Sequence, residues 1–79
     1  MFFSKDELIE LNDNKQYLVL NVTLLDNQAF YQVQEIDKET DALIGDKEII
    51  TAMNEKGSLF VEDVKDDNKL KQLNEIFAS

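Results

Sequence analysis

Between Gln16 and Leu25 the chain reads QYLVLNVTLL, with Leu18, Leu20, Val22 and Leu24 apolar at the even positions and Tyr17, Val19, Asn21, Thr23 and Leu25 mixed at the odd ones. Apolar residues at a period of two mark a strand with one dry face and one mixed face. The stretch therefore predicts the central strand of a small antiparallel sheet, its even-numbered leucines turned inward. Asp26-Asn27 follows, two residues that tolerate positive φ, and predicts a two-residue hairpin turn. That turn sets Leu24 opposite Ala29, Val22 opposite Tyr31 and Leu20 opposite Val33, and on the other face Thr23 opposite Phe30, Asn21 opposite Gln32 and Tyr17 opposite Ile36. A three-residue loop would put Gln32 and Gln34 beside the leucines, and each amide buried without a partner costs about 1–3 kcal/mol. The third strand is accordingly Ala29 to Ile36.

Upstream, Ser4-Lys5-Asp6-Glu7 has the form of a helix capping box, which suits a short helix from Lys5 to Leu11. The alternation of Ile9 and Leu11 with polar neighbours, and the turn-forming cluster Asn12-Asp13-Asn14-Lys15, favour a strand from Glu7 to Asn12 instead. Whether the turn centres on Asp13-Asn14 or Asn14-Lys15, parity places Ile9 and Leu11 on the face of Leu18 and Leu20. Downstream, DKETDALIGD (37–46) is the longest irregular connection, with Gly45 marking a turn and Leu43 and Ile44 apolar enough to tuck under the sheet. Lys47 to Asn54 and Ser58 to Val64 read as two further strands joined by Glu55-Lys56-Gly57, with Gly57 suited to the left-handed position of a bulged loop. The register there is open, Met53 matching Phe60 or Leu59.

Asp66 or Asp67 is a fitting N-cap for a C-terminal helix whose stripe Leu70, Leu73, Ile76 and Phe77 recurs at spacings of three and four. An isolated helix of about twelve residues is marginal in water, so the stripe needs a partner. The leucine face of the sheet supplies one, and burying Leu73 and Phe77 there contributes about 1.5–3 kcal/mol apiece. The expected architecture is α+β: a curled five-stranded antiparallel meander packed against one C-terminal helix, as a single domain over 1–79.

Composition narrows the chemistry. A chain of 79 residues buries only about 60–65% of its unfolded surface, which leaves room for one core and little else. Cysteine, histidine, arginine, proline and tryptophan are all absent, so no disulfide or thiolate metal site supplements that core, in keeping with a cytoplasmic setting. The side chain best suited to proton transfer near neutral pH is missing as well. Seventeen Asp and Glu against eight Lys give a net charge of −9 and a pI near 4.2. Such a surface repels phosphate backbones and anionic lipid, so direct binding to nucleic acid or membrane is not expected. The opening MFFSKDEL is too short and too charged for a signal peptide, and no apolar run approaches the roughly 18 residues of a membrane span.

The order of these features resembles the YrzB-like family of small acidic proteins from low-GC Gram-positive bacteria. The resemblance is carried by LNDNKQYLVLNV, by LDNQAFYQVQEI and above all by the ending EKGSLFVEDVKDDNKLKQLNEIF, in which a glycine turn, a short strand, an acidic cap and an amphipathic helix follow one another. It covers roughly Leu8 to Phe77 and implies a fold and a bacterial setting. The family has no assigned active site, so no functional residue is carried over.

Candidate chemistry is sparse. Asp37, Glu39, Asp41 and Glu48 fall at positions 1, 3, 5 and 12 of a calcium loop, but Ala42 stands where the sharp turn needs glycine and strands replace the flanking helices, so a solvated acidic loop is the expectation. Paired carboxylates act as acid and base only across a cleft that excludes water. Ser4, Ser58 and Ser79 have no histidine to activate them, and the two glycines, Gly45 and Gly57, form no phosphate loop. Neither enzymatic activity, nor a metal, nor a cofactor is expected. Tyr17, Phe30 and Ile36 share the mixed face of the central hairpin, which forms a second small core if the sheet curls and a partner-contact patch if it stays open. Sheet edges offer strand addition, including self-association. The leading expectation is a protein-protein interaction or accessory module with an unidentified protein partner. The alternative is an acidic nucleic-acid mimic that inhibits a DNA- or RNA-binding protein.

Overall fold

The computed structural model describes residues 2–11 and 13–78. Five strands, β1 (Leu8–Glu10), β2 (Gln16–Leu25), β3 (Gln28–Ile36), β4 (Leu43–Glu55) and β5 (Ser58–Asp63), lie side by side in chain order, every neighbour antiparallel, and are followed by α1 (Asp67–Ala78). The sheet curls into a half-barrel, giving the expected α+β architecture. Of the expected strand Glu7 to Asn12, Leu8–Glu10 is strand and Glu7 and Leu11 are not, while Asn12 falls outside the described residues.

The hairpin between β2 and β3 turns on Asp26 (φ 54°) and Asn27 (φ 64°), both left-handed as a two-residue turn requires. From Leu25 back to Asn21 the register is the expected one: Leu24 faces Ala29, Val22 faces Tyr31, Thr23 faces Phe30 and Asn21 faces Gln32. The Asn21 side-chain amide donates to Gln32 Oε1 at 2.8 Å. Beyond Asn21 the pairing slips. Val19, not Leu20, stands opposite Val33, and Gln16, not Tyr17, opposite Ile36. Leu20 is the extra residue of a β-bulge, and one inserted residue reverses which face every later side chain occupies.

That slip overturns the expected inward side. Tyr17 and Val19 are buried, at 6% and 0% exposure, whereas Leu18 and Leu20 are only half-buried and Leu24 is exposed. Ile9 lies opposite Tyr17 and joins its face rather than that of Leu18. The inner core is Ile9, Tyr17, Val19, Tyr31, Val33, Ile50 and Ala52, with Phe3, Leu11, Val22, Ala29 and Val61 packed against it. Helix α1 is absent from this cluster. Complete burial on a face that no helix covers requires the sheet to fold over itself, and the bulges supply that curl.

The opposite face carries the second core: Phe30, Ile49 and Leu73, with Leu25, Val64, Leu70 and Phe77 around them. Helix α1 covers this face, where Leu25 of β2 packs against the same cluster. Of the two candidate caps Asp66 serves, its Oδ1 accepting from the amides of Asn68 at 3.0 Å and Lys69 at 3.4 Å. The Val64 amide donates to the Ile49 carbonyl at 3.0 Å and ties the approach to the helix down onto β4. Lys69 Nζ sits 5.5 Å from the Phe30 ring centre, a cation–π contact at the rim of this core.

Three further expectations change. The Ser4–Glu7 capping bond forms, with the Ser4 amide donating to Glu7 Oε1 at 2.9 Å, but Asp6 at φ 70° makes the segment a turn rather than a helix. Strand β4 starts at Leu43, because a bulge around Gly45 (φ 72°) lets the irregular stretch continue the ladder, Gln34 Nε2 donating to the Gly45 carbonyl at 2.8 Å. Leu43 and Ile44 therefore remain exposed in the strand instead of tucking under it. The last hairpin turns on two residues, Lys56 (φ 53°) and Gly57 (φ 82°), and sets Met53 opposite Phe60.

Since Leu73 is wholly enclosed and Leu24 is exposed, Leu73→Ala is expected to cost about 2.5–5 kcal/mol and Leu24→Ala less than about 0.5 kcal/mol in urea unfolding. Equal losses would contradict the face assignment.

Candidate functional site

Tyr17, Phe30 and Ile36 do not share a surface. Tyr17 lies in the inner core, Phe30 is 1% exposed beneath α1, and Ile36 is half-buried beside Gln16 and Leu43. Tyr17 and Thr23 are both odd-numbered, yet the bulge at Leu20 puts them on opposite faces, and Phe30 follows Thr23. Tyr17 and Phe30 are thus buried in two different cores, and the three residues do not come together in one exposed patch.

The polar groups that do converge stand at the rim of the inner core. The Tyr17 hydroxyl donates to Asp13 Oδ2 at 2.8 Å, and the Lys15 amide donates to Asp13 Oδ1 at 2.9 Å. These two bonds, the backbone one first, hold the Asp13 carboxyl below its ordinary range. Burial, then the hydrogen bond to Asp13 and the charges of Asp13, Glu48 and Glu35, push the Tyr17 phenol well above its ordinary value. A phenol so held keeps its proton at any physiological pH and is no nucleophile. Desolvation, followed by the charges of Asp63 and Asp13, raises the Glu48 carboxyl, with Lys15 opposing. Lys15 itself lies 3.8 Å from Glu35.

Beside this rim runs a groove of about 340 Å³ between the two ends of the sheet. Phe3, Glu10, Leu11 and Asp13 line one wall, and Leu59, Val61 and Asp63 of β5 line the other. Phe3 stands edge-on to Tyr31, ring centres 5.0 Å apart, and the Phe2 amide donates to the Tyr31 hydroxyl at 3.0 Å, so the N-terminal segment roofs the inner core next to the groove.

Strand β5 is the last in the sheet, paired only with β4. Glu55 and Ser58 flank a two-residue turn and form its hydrogen-bonded pair, and bonded pairs alternate along an antiparallel ladder. Phe60 and Glu62 therefore spend their backbone groups on Met53 and Thr51, while Leu59, Val61 and Asp63 point theirs away from the sheet. Those same three residues line the groove. Leu59 is 49% and Phe60 48% exposed, on opposite faces of the strand. The sequence left the register of this edge open between Met53–Phe60 and Met53–Leu59, because the length of the turn was not fixed. Taken as two, SLFVED yields the outward positions by counting.

The acidic loop is occupied with its own backbone. Asp37 Oδ1 accepts from the amides of Glu39 at 2.8 Å and Thr40 at 3.3 Å, and the Asp41 amide donates to the Asp37 carbonyl at 2.8 Å. Among the described residues no group of three or more His, Cys, Asp or Glu side chains is gathered closely enough to hold a metal ion. No described helix is long and apolar enough to cross a membrane.

No family model matches the chain, and neither a curated protein nor a solved structure shows significant similarity to it. The likeness to the YrzB-like family rests on the order of turns, strands and helix alone.

The raised Glu48 carboxyl has a defined sign. Its charged form is disfavoured by folding, so it subtracts stability above the folded pKa, and the penalty disappears as pH falls through the carboxylate range. Glu48→Gln is therefore expected to raise Tm at pH 7 by about 2–5 °C, with the gain vanishing in acid. A gain that persists unchanged in acid would show that packing rather than charge is responsible.

Proposed function

We propose that the chain is a non-enzymatic interaction module that captures another protein by adding a strand to the free edge of β5. The observation that carries the reading is the six-residue edge itself. Leu59, Val61 and Asp63 turn unpaired backbone donors and acceptors outward, between the half-exposed apolar side chains Leu59 and Phe60. Main-chain hydrogen bonds supply affinity in such strand addition, and the alternate side chains supply selectivity. Edge strands are ordinarily blunted by proline, lysine or a bulge. β5 contains none of these, only Glu62 and Asp63 at one end. The cysteine-free composition and the likeness to the YrzB-like family support a bacterial cytoplasmic setting.

The acidic-mimic reading draws on the net charge of −9, and salt separates the two. A mimic loses its target steeply as salt screens the charges, whereas strand pairing over apolar contacts persists. The test is a pull-down with the full chain from a lysate of the encoding organism at about 0.1 M and about 1 M salt, beside Leu59→Pro. Proline at 59 removes an outward N–H and no ladder bond, so the fold is retained. Proline at 60 removes a bond to Met53 and lowers Tm further. The expected result is one partner recovered at both salt concentrations and lost with Leu59→Pro. Recovery by Leu59→Pro equal to wild type overturns edge capture, and recovery at low salt alone favours the mimic.

A further inference from the structure

We infer, resting on the edge-capture reading above, that the captured segment is an extended peptide that carries both apolar residues and Lys or Arg at the every-second positions facing the groove. Its apolar side chains enter the groove beside β5, and its cations meet Glu10, Asp13 and Asp63.

The argument starts from parity. A strand laid along β5 directs every second side chain to the inner side of the sheet, where the groove lies. There those side chains meet a wall of fixed chemistry. Phe3, Leu11 and Val61 are half-buried extensions of the inner core, and Leu59 continues them along the edge. The remaining lining residues, Glu10, Asp13 and Asp63, are all carboxylates, and no lysine lines the groove. An occupant with only apolar side chains would desolvate these acids without giving them a partner. Cationic side chains spaced between apolar ones offset that cost and fix the register.

Glu48 lies near the same end of the sheet, its carboxyl raised first by desolvation and then by neighbouring acids. Asp63 and Asp13 both act on the carboxyl of Glu48, and Lys15 is the counter-charge that acts with them there. A cation delivered beside Asp63 relieves this repulsion, which ties occupancy of the groove to the charge balance of the rim.

Other occupants fit less well. The β5 edge of a second copy reads SLFVED, carrying two acids and no base, so self-pairing brings like charge to like charge. A phosphate backbone meets the same repulsion.

The test uses the full chain, immobilised, and a displayed library of random twelve-residue peptides; enriched sequences are then synthesised and their affinities measured. Enriched peptides are expected to carry both apolar and Lys or Arg residues at positions two apart. Leu59→Pro should weaken them by about tenfold or more, through the lost main-chain bond and strand geometry. Glu10→Gln with Asp63→Asn should weaken them about three- to tenfold and flatten the salt dependence. Amide resonances of Leu59, Val61 and Asp63 should shift on titration, reporting the site directly. If peptides without basic residues are enriched, or the double variant binds unchanged while Leu59→Pro still abolishes binding, the basic occupant is wrong and edge capture stands. If Leu59→Pro binds as wild type, edge capture itself fails. An empty selection overturns the inference, as does a concentration-dependent dimer that Leu59→Pro abolishes, which would identify the occupant as a second copy.

Discussion

A single unpaired residue, Leu20, determines which side chains of this chain meet. Because a strand presents alternate residues to alternate faces, inserting one residue into β2 without a partner on β3 exchanges the faces for everything on its far side. Residues 21–25 keep one assignment and residues 16–19 take the other. Tyr17 and Val19 are thereby brought to the side of Val22, Tyr31 and Val33, and a run of leucines that alternates without fault contributes little to the interior. A bulge also bends and twists its strand. With the second bulge opposite Gln34, it lets a five-stranded sheet enclose a helix-free core.

Two small cores result. Phe30 and Tyr31 are adjacent in sequence and belong to different cores, one closed by Leu73 of α1 and the other by the curl of the sheet and by Phe3. The division solves a geometric problem for a chain of 79 residues. One helix of twelve residues cannot cover both faces of five strands. Curling removes one face from solvent without further chain, and the helix attends to the other. The buried hydroxyls are provided for in the same way. Tyr17 finds Asp13, Tyr31 accepts from the Phe2 amide, and Thr51 donates to the Ala29 carbonyl at 2.8 Å.

Most of the architecture was legible because it is written in local chemistry. Asp26-Asn27 tolerates left-handed backbone and announced its turn; the spacing of Leu70, Leu73 and Phe77 announced the helix; Asp66 announced the cap. The bulges were not legible, since Leu20 sits in an unbroken alternation and Gly45 in a stretch that reads as a loop. A bulge is decided by which register buries more across the whole sheet, a comparison that no single window contains. From that one error the rest follows: Leu18 and Leu20 were assigned inward, Ile9 was given the wrong companions, and Tyr17 and Phe30 were placed together on one face. The register of β5 stayed open for a different reason, the count of residues in the last turn, on which the direction of every outward N–H depends.

The meander order has a kinetic meaning as well. Each strand pairs with the one just made, across connections of two to six residues, so each step closes only a short loop and the entropy charged to it stays small. Sheets assembled from distant segments fold slowly because they must close long loops before any contact repays them. The Phe3–Tyr31 contact and the docking of Leu73 on Phe30 are among those that join remote parts of the chain. Strands can therefore be laid down one beside the next as the polypeptide lengthens, and α1 is the last piece to seat.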